Sequence, residues 1–203
     1  MIERSEPRAA GVRSGRPAVT SHAELAHVAL ELFSSRGFDA TTVDDIAAAA
    51  GIGRRTFFRY YSSKNDVVWG DFDAELDRMR RYLNERPADQ PLLTALHDAV
   101  LDFNRFPDVE APWHRRRMRL ILEVPTLQAH STLRYAAWRE VVAEFVARRL
   151  DIAKDSMQPQ AIAYAFLGVC IAAYEQWLKD DGTKLEEPLD TALTLLVSGL
   201  SCD

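Results

Sequence analysis

Residues 51–64 read GIGRRTFFRYYSSK: three arginines, a lysine and four aromatic rings in fourteen residues of a chain whose formal net charge is −5. That charge is unevenly spread. Residues 1–64 carry nine Arg/Lys against seven Asp/Glu, whereas the remainder carries sixteen against twenty-three. Only the first third is suited to face a polyanion. A short helix has no room to bury all of these side chains, and Phe57 is the ring expected to pack inward. Arg54, Arg55, Thr56 and Phe58 then stand near the helix start, where a recognition helix meets base edges. Arginine forks onto guanine O6 and N7, and a threonine methyl or an aromatic ring touches a thymine methyl. Tyr60, Tyr61 and Lys64 follow at the far end, where a phenol, an ammonium and free helix amides hold phosphates. The competing reading is a solvated basic face beside an aromatic mini-core.

The surrounding pattern favours the first reading. Ser21 followed by Glu24 is a capping-box pattern, and Leu25, Val28, Leu32 and Phe33 keep helical spacing behind it. Gly37 suits the position that ends such a helix. Thr42 caps a second short helix with Asp44 and Asp45 in its first turn, where the helix dipole favours negative charge. That helix ends at Gly51, and the break GIGR leads into the quoted residues. Two short helices across a tight turn form a helix-turn-helix unit, expected over residues 21–66. Ser62 or Ser63 is expected to cap a longer fourth helix running to about residue 84. Residues 1–20, rich in Gly, Pro, Arg and Ser, read as a flexible basic arm. Arg13 and Arg16 in that arm could enter a minor groove, or the arm could be a solubility tail.

NERPADQP (84–91) is polar and proline-bearing, a joint between domains. Beyond it, helices are expected at about 91–106, 113–123, 126–149, 160–179 and 188–200, making residues 85–203 a second domain. No alternating strand pattern is visible, so the fold class is all-α. Hydrophobic residues at 47% suffice for a core and charged residues at 27% suit a soluble protein. No membrane span and no apolar signal core are expected, and the two cysteines, Cys170 and Cys202, point to a reducing cytoplasm rather than a disulfide framework. Five scattered histidines give no metal pattern. No catalytic motif appears either, and Cys170 in its apolar run reads as a buried hydrophobe. No cofactor and no enzymatic activity are expected.

The stretch ALELFSSRGFDATTVDDIAAAAGIGRRTFFRYYSSKNDVV resembles the N-terminal domain of TetR-type transcriptional regulators. Phe33, Gly37, Thr42, Ile46, Ala47, Ala50, Gly51, Phe57, Tyr60 and Lys64 carry the likeness. The resemblance implies a homodimer that binds a palindromic operator on double-stranded DNA and releases it when a small molecule binds. It implies phosphate contacts from Thr42, Tyr60 and Lys64, with Arg54, Arg55 and Thr56 in the major groove. Phe58 departs from the tyrosine many members have there, and so lacks a hydroxyl contact. Further on, RRRMRLILEVPTLQAHS, WREVVAEFVARR and LGVCIAAYEQWL are similar to regulators of mycofactocin gene clusters in actinobacteria. That likeness implies long-chain acyl-CoA as a candidate effector.

The second domain must supply a cavity and a partner surface. Phe103, Trp113, Met118, Ile121, Tyr135, Trp138, Tyr164 and Trp177 are the bulky groups expected to line the cavity, and Arg117 the cation expected to meet an anionic head. The run His114-Arg115-Arg116-Arg117, with Arg119, could equally be a solvated face paired with Glu110 and Glu123. The last two helices are apolar nearly all round, which suggests a two-fold four-helix interface using Phe166, Gly168, Ala172, Leu196 and Gly199. An all-helical interaction module without sequence-specific DNA binding is the alternative function. It leaves GIGRRTFFRYYSSK without a purpose.

Overall fold

The computed structural model describes residues 21–199, and every described element is helical. The basic arm and Cys202 lie outside those residues. α1 (His22–Arg36) opens with the expected box: Ser21 Oγ accepts from the Glu24 amide, and Glu24 Oε2 accepts from the Ser21 amide, both at 3.2 Å. Its end falls at Gly37, whose φ of +87° favours a residue without a Cβ. α2 (Val43–Ala49) has a second box between Thr42 and Asp45, and α3 (Arg54–Tyr60) follows after a short turn. Phe57 is fully buried between them, with Ile46 and Ala47 of α2 and Leu25, Ala29 and Phe33 of α1 also in the core.

The expected long fourth helix is two. α4 (Lys64–Val67) is capped by Ser63, whose side chain accepts from the Asp66 amide, and it stops before α5 (Phe72–Asn84) begins. The break falls at Gly70, whose φ of +63° lies in the left-handed region that an α-helix cannot include. The apolar spacing of the two pieces resembles one helix, which is why the sequence pattern missed the joint.

α6 (Leu92–Phe103), α8 (Pro125–Leu150), α9 (Met157–Trp177) and α10 (Glu186–Val197) form the body of the second half, with α5 against α6 and α8. α7 (Ala111–Glu123), entered through a single 3-10 turn at Asp108–Glu110, packs on α8 and on α1. It therefore spans from the recognition unit to the bundle. Pro112 and Pro125 sit in the first turns of α7 and α8, where a missing amide hydrogen costs nothing.

α9 bears on two expectations. By length and composition alone it is apolar enough to cross a membrane. In this fold it lies between α8 and α10 and buries Ala163, Phe166, Cys170, Ala173, Tyr174 and Trp177. Phe166 is thus core of its own chain, not an interface residue, because its position on the helix turns it inward. The opposite stripe (Ala161, Tyr164, Gly168, Ala172) is exposed, as are Leu195 on α10 and Ser198 and Gly199 just beyond it. Leu196 is half-buried.

Candidate functional site

α3 presents Arg54, Arg55, Phe58 and Arg59 to solvent, with Thr56 half-buried. Arg54 is not free: Nη1 meets Asp44 Oδ1 of α2 at 2.8 Å, and the guanidinium lies 5.3 Å from the Phe58 ring centre. Arg55 has no ion-pair partner among the described residues. Phe58 remains 45% exposed, a cost in water unless something covers it.

The far end of α3 is built differently from expectation. Tyr61 is buried, and its hydroxyl donates to the His22 carbonyl at 2.8 Å. Burial holds that phenol well above its usual pKa. Tyr61 therefore fastens α3 to α1 and has no hydroxyl to offer a phosphate. Tyr60 is half-buried edge-on to His22 at 5.0 Å between ring centres. Lys64 Nζ donates to the Phe38 carbonyl at 2.8 Å and sits over the Phe38 ring, keeping two further N–H bonds. The Thr42 hydroxyl donates to Asp45 Oδ2 at 2.6 Å, which helps hold that carboxyl below its usual range.

Behind the Gly70 joint, a cavity of about 210 Å³ opens among α5, α7, α8 and α9. Phe103, Arg117, Met118, Ile121, Tyr135 and Trp138 line it, all named from sequence. Three others do not. Trp113 faces the other way and stacks on His27 of α1, 4.2 Å between ring centres. Tyr164 lies on the outer stripe of α9 beneath Arg139. Trp177 points to a second, more open cavity of about 510 Å³ and donates its indole N–H to the Thr183 carbonyl. In each case helical register, not side-chain character, decides the direction.

The sequence reading missed Trp69, Phe72, Glu75, Asn104 and Tyr174 at the first cavity. A mixed polar chain runs along one wall. Tyr174 donates to Asn104 Oδ1, so its oxygen accepts from His114 Nε2 at 3.0 Å. Burial and the nearby Arg117 guanidinium push the His114 pKa down to about 3, leaving a neutral ring. The basic run thus divides by register: His114 and Arg117 face the cavity, while Arg115 binds the carbonyls of Trp177, Asp180 and Thr183. Arg116 and Arg119 are exposed, with Arg119 near Glu123 at 3.9 Å. Cys170 also lines the cavity, and burial pushes its thiol up to about 12, far from a reactive thiolate.

Comparison with known proteins decides what this architecture is. Residues 25–68 match the bacterial regulatory proteins of the tetR family, and residues 90–201 match the MftR C-terminal domain. The chain belongs to the TetR family of transcriptional regulators. It is 46% identical to the mycofactocin biosynthesis transcriptional regulator MftR of Mycobacterium tuberculosis over 93% of this chain and 95% of that one. It is 31% identical to the transcriptional regulator TcmR of Streptomyces glaucescens, over 90% of this chain and 84% of that one. The fatty acid degradation regulator FadR of Bacillus halodurans shares the fold (TM-score 0.64, 17% identity, 90% of this chain and 97% of that one). So does Thermus thermophilus FadR in complex with lauroyl-CoA (TM-score 0.53, 23% identity, 90% of this chain and 96% of that one). These relatives are regulators, not enzymes.

In this TetR-family regulator, three attachments tie α3 and α4 to the cavity helices. Tyr61 fixes α3 to α1, and His27 and Glu110 join α1 to the turn before α7 through a 3.0 Å contact. On the other side, Asp66 of α4 meets Arg134 of α8 at 2.7 Å and His130 at 3.3 Å. The Ser63 hydroxyl, the Arg134 guanidinium and the nearby His130 ring hold the Asp66 carboxyl below its usual range against the cost of burial.

Proposed function

We propose that this regulator is a ligand-responsive repressor that binds a palindromic operator as a homodimer and is released by a small, largely apolar effector. The observation that carries the reading is the position of the cavity. Trp69 and Phe72, on either side of Gly70, are both part of its wall. Anything that fills it presses on the joint that supports α3. Two recognition helices must match groove spacing of one helical turn or a multiple. An effector that favours a mismatched spacing lowers DNA affinity, and DNA lowers effector affinity by the same factor.

On this reading residues 21–66 are the DNA-binding unit and residues 85–203 the effector and dimer unit. Arg54, Arg55, Thr56 and Phe58 read bases; Thr42, Tyr60 and Lys64 position the backbone. The exposed small-residue stripe on α9 (Gly168, Ala172), with Leu196 and Gly199, meets its copy across a two-fold axis, since small residues allow close helix approach. The protein works in the cytoplasm. A long-chain acyl-CoA is a candidate effector: the cavity is mostly apolar, and a neighbour of the same fold is known with lauroyl-CoA.

The test is a genome-fragment binding selection at physiological salt, followed by release with lauroyl-CoA. A single palindromic motif, lost in the Arg54→Ala/Arg55→Ala double variant, supports the operator reading. Motif recovery without release by lauroyl-CoA would remove acyl-CoA as the effector. Recovery of no motif from a folded dimer would sink the operator reading itself.

A further inference from the structure

Four buried side-chain nitrogen or oxygen atoms have no hydrogen-bond partner among the described residues: Trp69 Nε1, Arg117 Nε, Tyr135 OH and His130 Nδ1. Three of the four belong to residues lining the one 210 Å³ cavity, and of these only the Tyr135 hydroxyl has a polar side chain close by, the Ser131 hydroxyl, which itself donates to the Gln128 carbonyl. All three can donate, and the indole and guanidinium nitrogens can do nothing else. Buried donors are ordinarily satisfied, so three orphans around one space call for an explanation.

Charge points the same way. Arg117 is half-buried with its Nε fully shielded from water, and no carboxylate among the described residues pairs with it. The two nearest in influence are committed elsewhere: Glu75 to Arg78 at 2.8 Å and Glu110 to His27 at 3.0 Å. A guanidinium nitrogen shielded from water with no acceptor is a costly arrangement, and Glu110 and Glu75 offset its charge only at a distance. His114, also on the wall, is neutral and committed to Tyr174, so it supplies no counter-charge. The three donors are also neighbours. The Trp69 and Tyr135 rings meet edge-to-face at 5.7 Å, and Arg117 Nη2 would lie 3.4 Å from a Cβ on Gly70, the residue after Trp69.

We infer that Trp69, Arg117 and Tyr135 form an oxyanion-binding corner that takes the carboxylate of an apolar carboxylic acid, carboxylate-first, against the Gly70 joint. The remaining wall, with Phe72, Phe103, Met118 and Ile121, receives the hydrocarbon part. A bidentate acceptor suits a guanidinium fork better than a lone carbonyl does. The proposal rests on the effector reading above and narrows it: the group sensed at the joint is an anionic head, and a free acid is a better ligand than its coenzyme thioester.

The test titrates the full-length protein calorimetrically, without DNA, with decanoate, 1-decanol and lauroyl-CoA at neutral pH, and then adds the same three to the protein–operator complex to read release. Decanoate should bind about tenfold or more tightly than decanol, the scale of a charge-assisted hydrogen bond. Arg117→Met should abolish that preference while leaving decanol binding in place, and Tyr135→Phe should reduce it by about threefold. Thermal unfolding of Arg117→Met checks its fold, and its melting temperature should not fall, because a partly shielded cation without a direct partner has been removed. Equal binding of decanoate and decanol, absence of decanoate binding, or a preference that survives Arg117→Met would overturn the corner. Operator release by lauroyl-CoA without any carboxylate preference would overturn the corner and leave the effector reading standing. A carboxylate preference without operator release by any of the three would do the reverse.

Discussion

The Arg117 guanidinium packs against Gly70, with Nη2 3.4 Å from where a Cβ would stand, so the cation on the cavity wall touches the joint between α4 and α5. Gly70 is there for its backbone, since its φ of +63° is one that L side chains rarely adopt. Gly70→Ala should therefore cost about 1–2 kcal/mol of stability, read from the shift in a urea unfolding curve. The 3.4 Å approach is ordinary contact and should contribute little. Most of the cost should accordingly persist in an Arg117→Met background. A near-neutral Gly70→Ala in that background would show that steric contact, not φ, sets the penalty.

His114 supplies a pH dependence whose sign is fixed by its depressed pKa of about 3. Between that value and the ordinary histidine pKa near 6.5, the unfolded chain binds a proton that the folded chain refuses. Stability should thus be full above about pH 6.5 and decline as pH falls through the window towards 3. The loss between pH 7 and pH 5 should be about 2 kcal/mol. His114→Gln keeps a donor for Tyr174 and has no proton to gain, so its stability should be flat over that interval. Denaturant curves of both proteins at the two pH values decide the matter, and parallel losses would assign the effect to other groups.

Sequence pattern carried the DNA-binding half further than the cavity. Its caps, Ser21 with Glu24 and Thr42 with Asp45, are local hydrogen bonds whose partners lie three residues apart, so spacing alone reveals them. The break at Gly70 was hidden because α4 and α5 keep apolar side chains on one side across it; only the φ angle shows the helix has stopped. Tyr61 and Tyr60 are adjacent and alike in sequence, yet one is core and the other half-exposed, a matter of helical register against α1. Cavity residues suffer most. Trp113, Tyr164 and Trp177 have the right chemistry and the wrong azimuth, whereas Trp69 lies in the turn between α4 and α5, where the sequence pattern reads as continuous helix.

The contrast between Tyr61 and Lys64 separates core from clamp. Tyr61→Phe removes the donor to the His22 carbonyl and should cost about 1 kcal/mol of stability. It should leave the salt dependence of DNA binding unchanged, because a buried phenol meets no phosphate. Lys64→Ala should lower affinity on specific and random DNA alike and reduce the log–log salt slope by about one. Fluorescence anisotropy over a salt series measures both. A reduced slope for Tyr61→Phe would return it to the DNA surface.

Arg55 and Arg54 stand two ways on the same helix, one without a partner among the described residues and one tied to Asp44. Arg55→Ala should weaken operator binding and relax discrimination at one base pair by about 1–3 kcal/mol. Competition with operators changed one base pair at a time provides the measurement. Equal losses on operator and random DNA would reduce Arg55 to a phosphate contact.

Asp66 and Arg134 join α4 to α8 at 2.7 Å, and His130 adds a second nitrogen to the same carboxylate oxygen at 3.3 Å. Both partners of the 2.7 Å pair are largely shielded, with side-chain exposures of 15% and 21%, so water screens the pair less than a surface bridge. Arg134→Ala removes the stronger partner from a carboxylate that Ser63 and His130 still hold. The expected cost is about 1–2 kcal/mol, below the full penalty for stranding a buried charge. Since α4 then loses its tether to the cavity wall, the variant should bind operator with less change on adding effector than the parent does. The coupling, read as the ratio of operator affinities with and without lauroyl-CoA, should move toward one. Asp66→Asn retains the Ser63 contact and should shift the ratio in the same direction. If both variants lose stability but keep the parental ratio, the tether is structural and the signal runs through Arg117 and Gly70 alone.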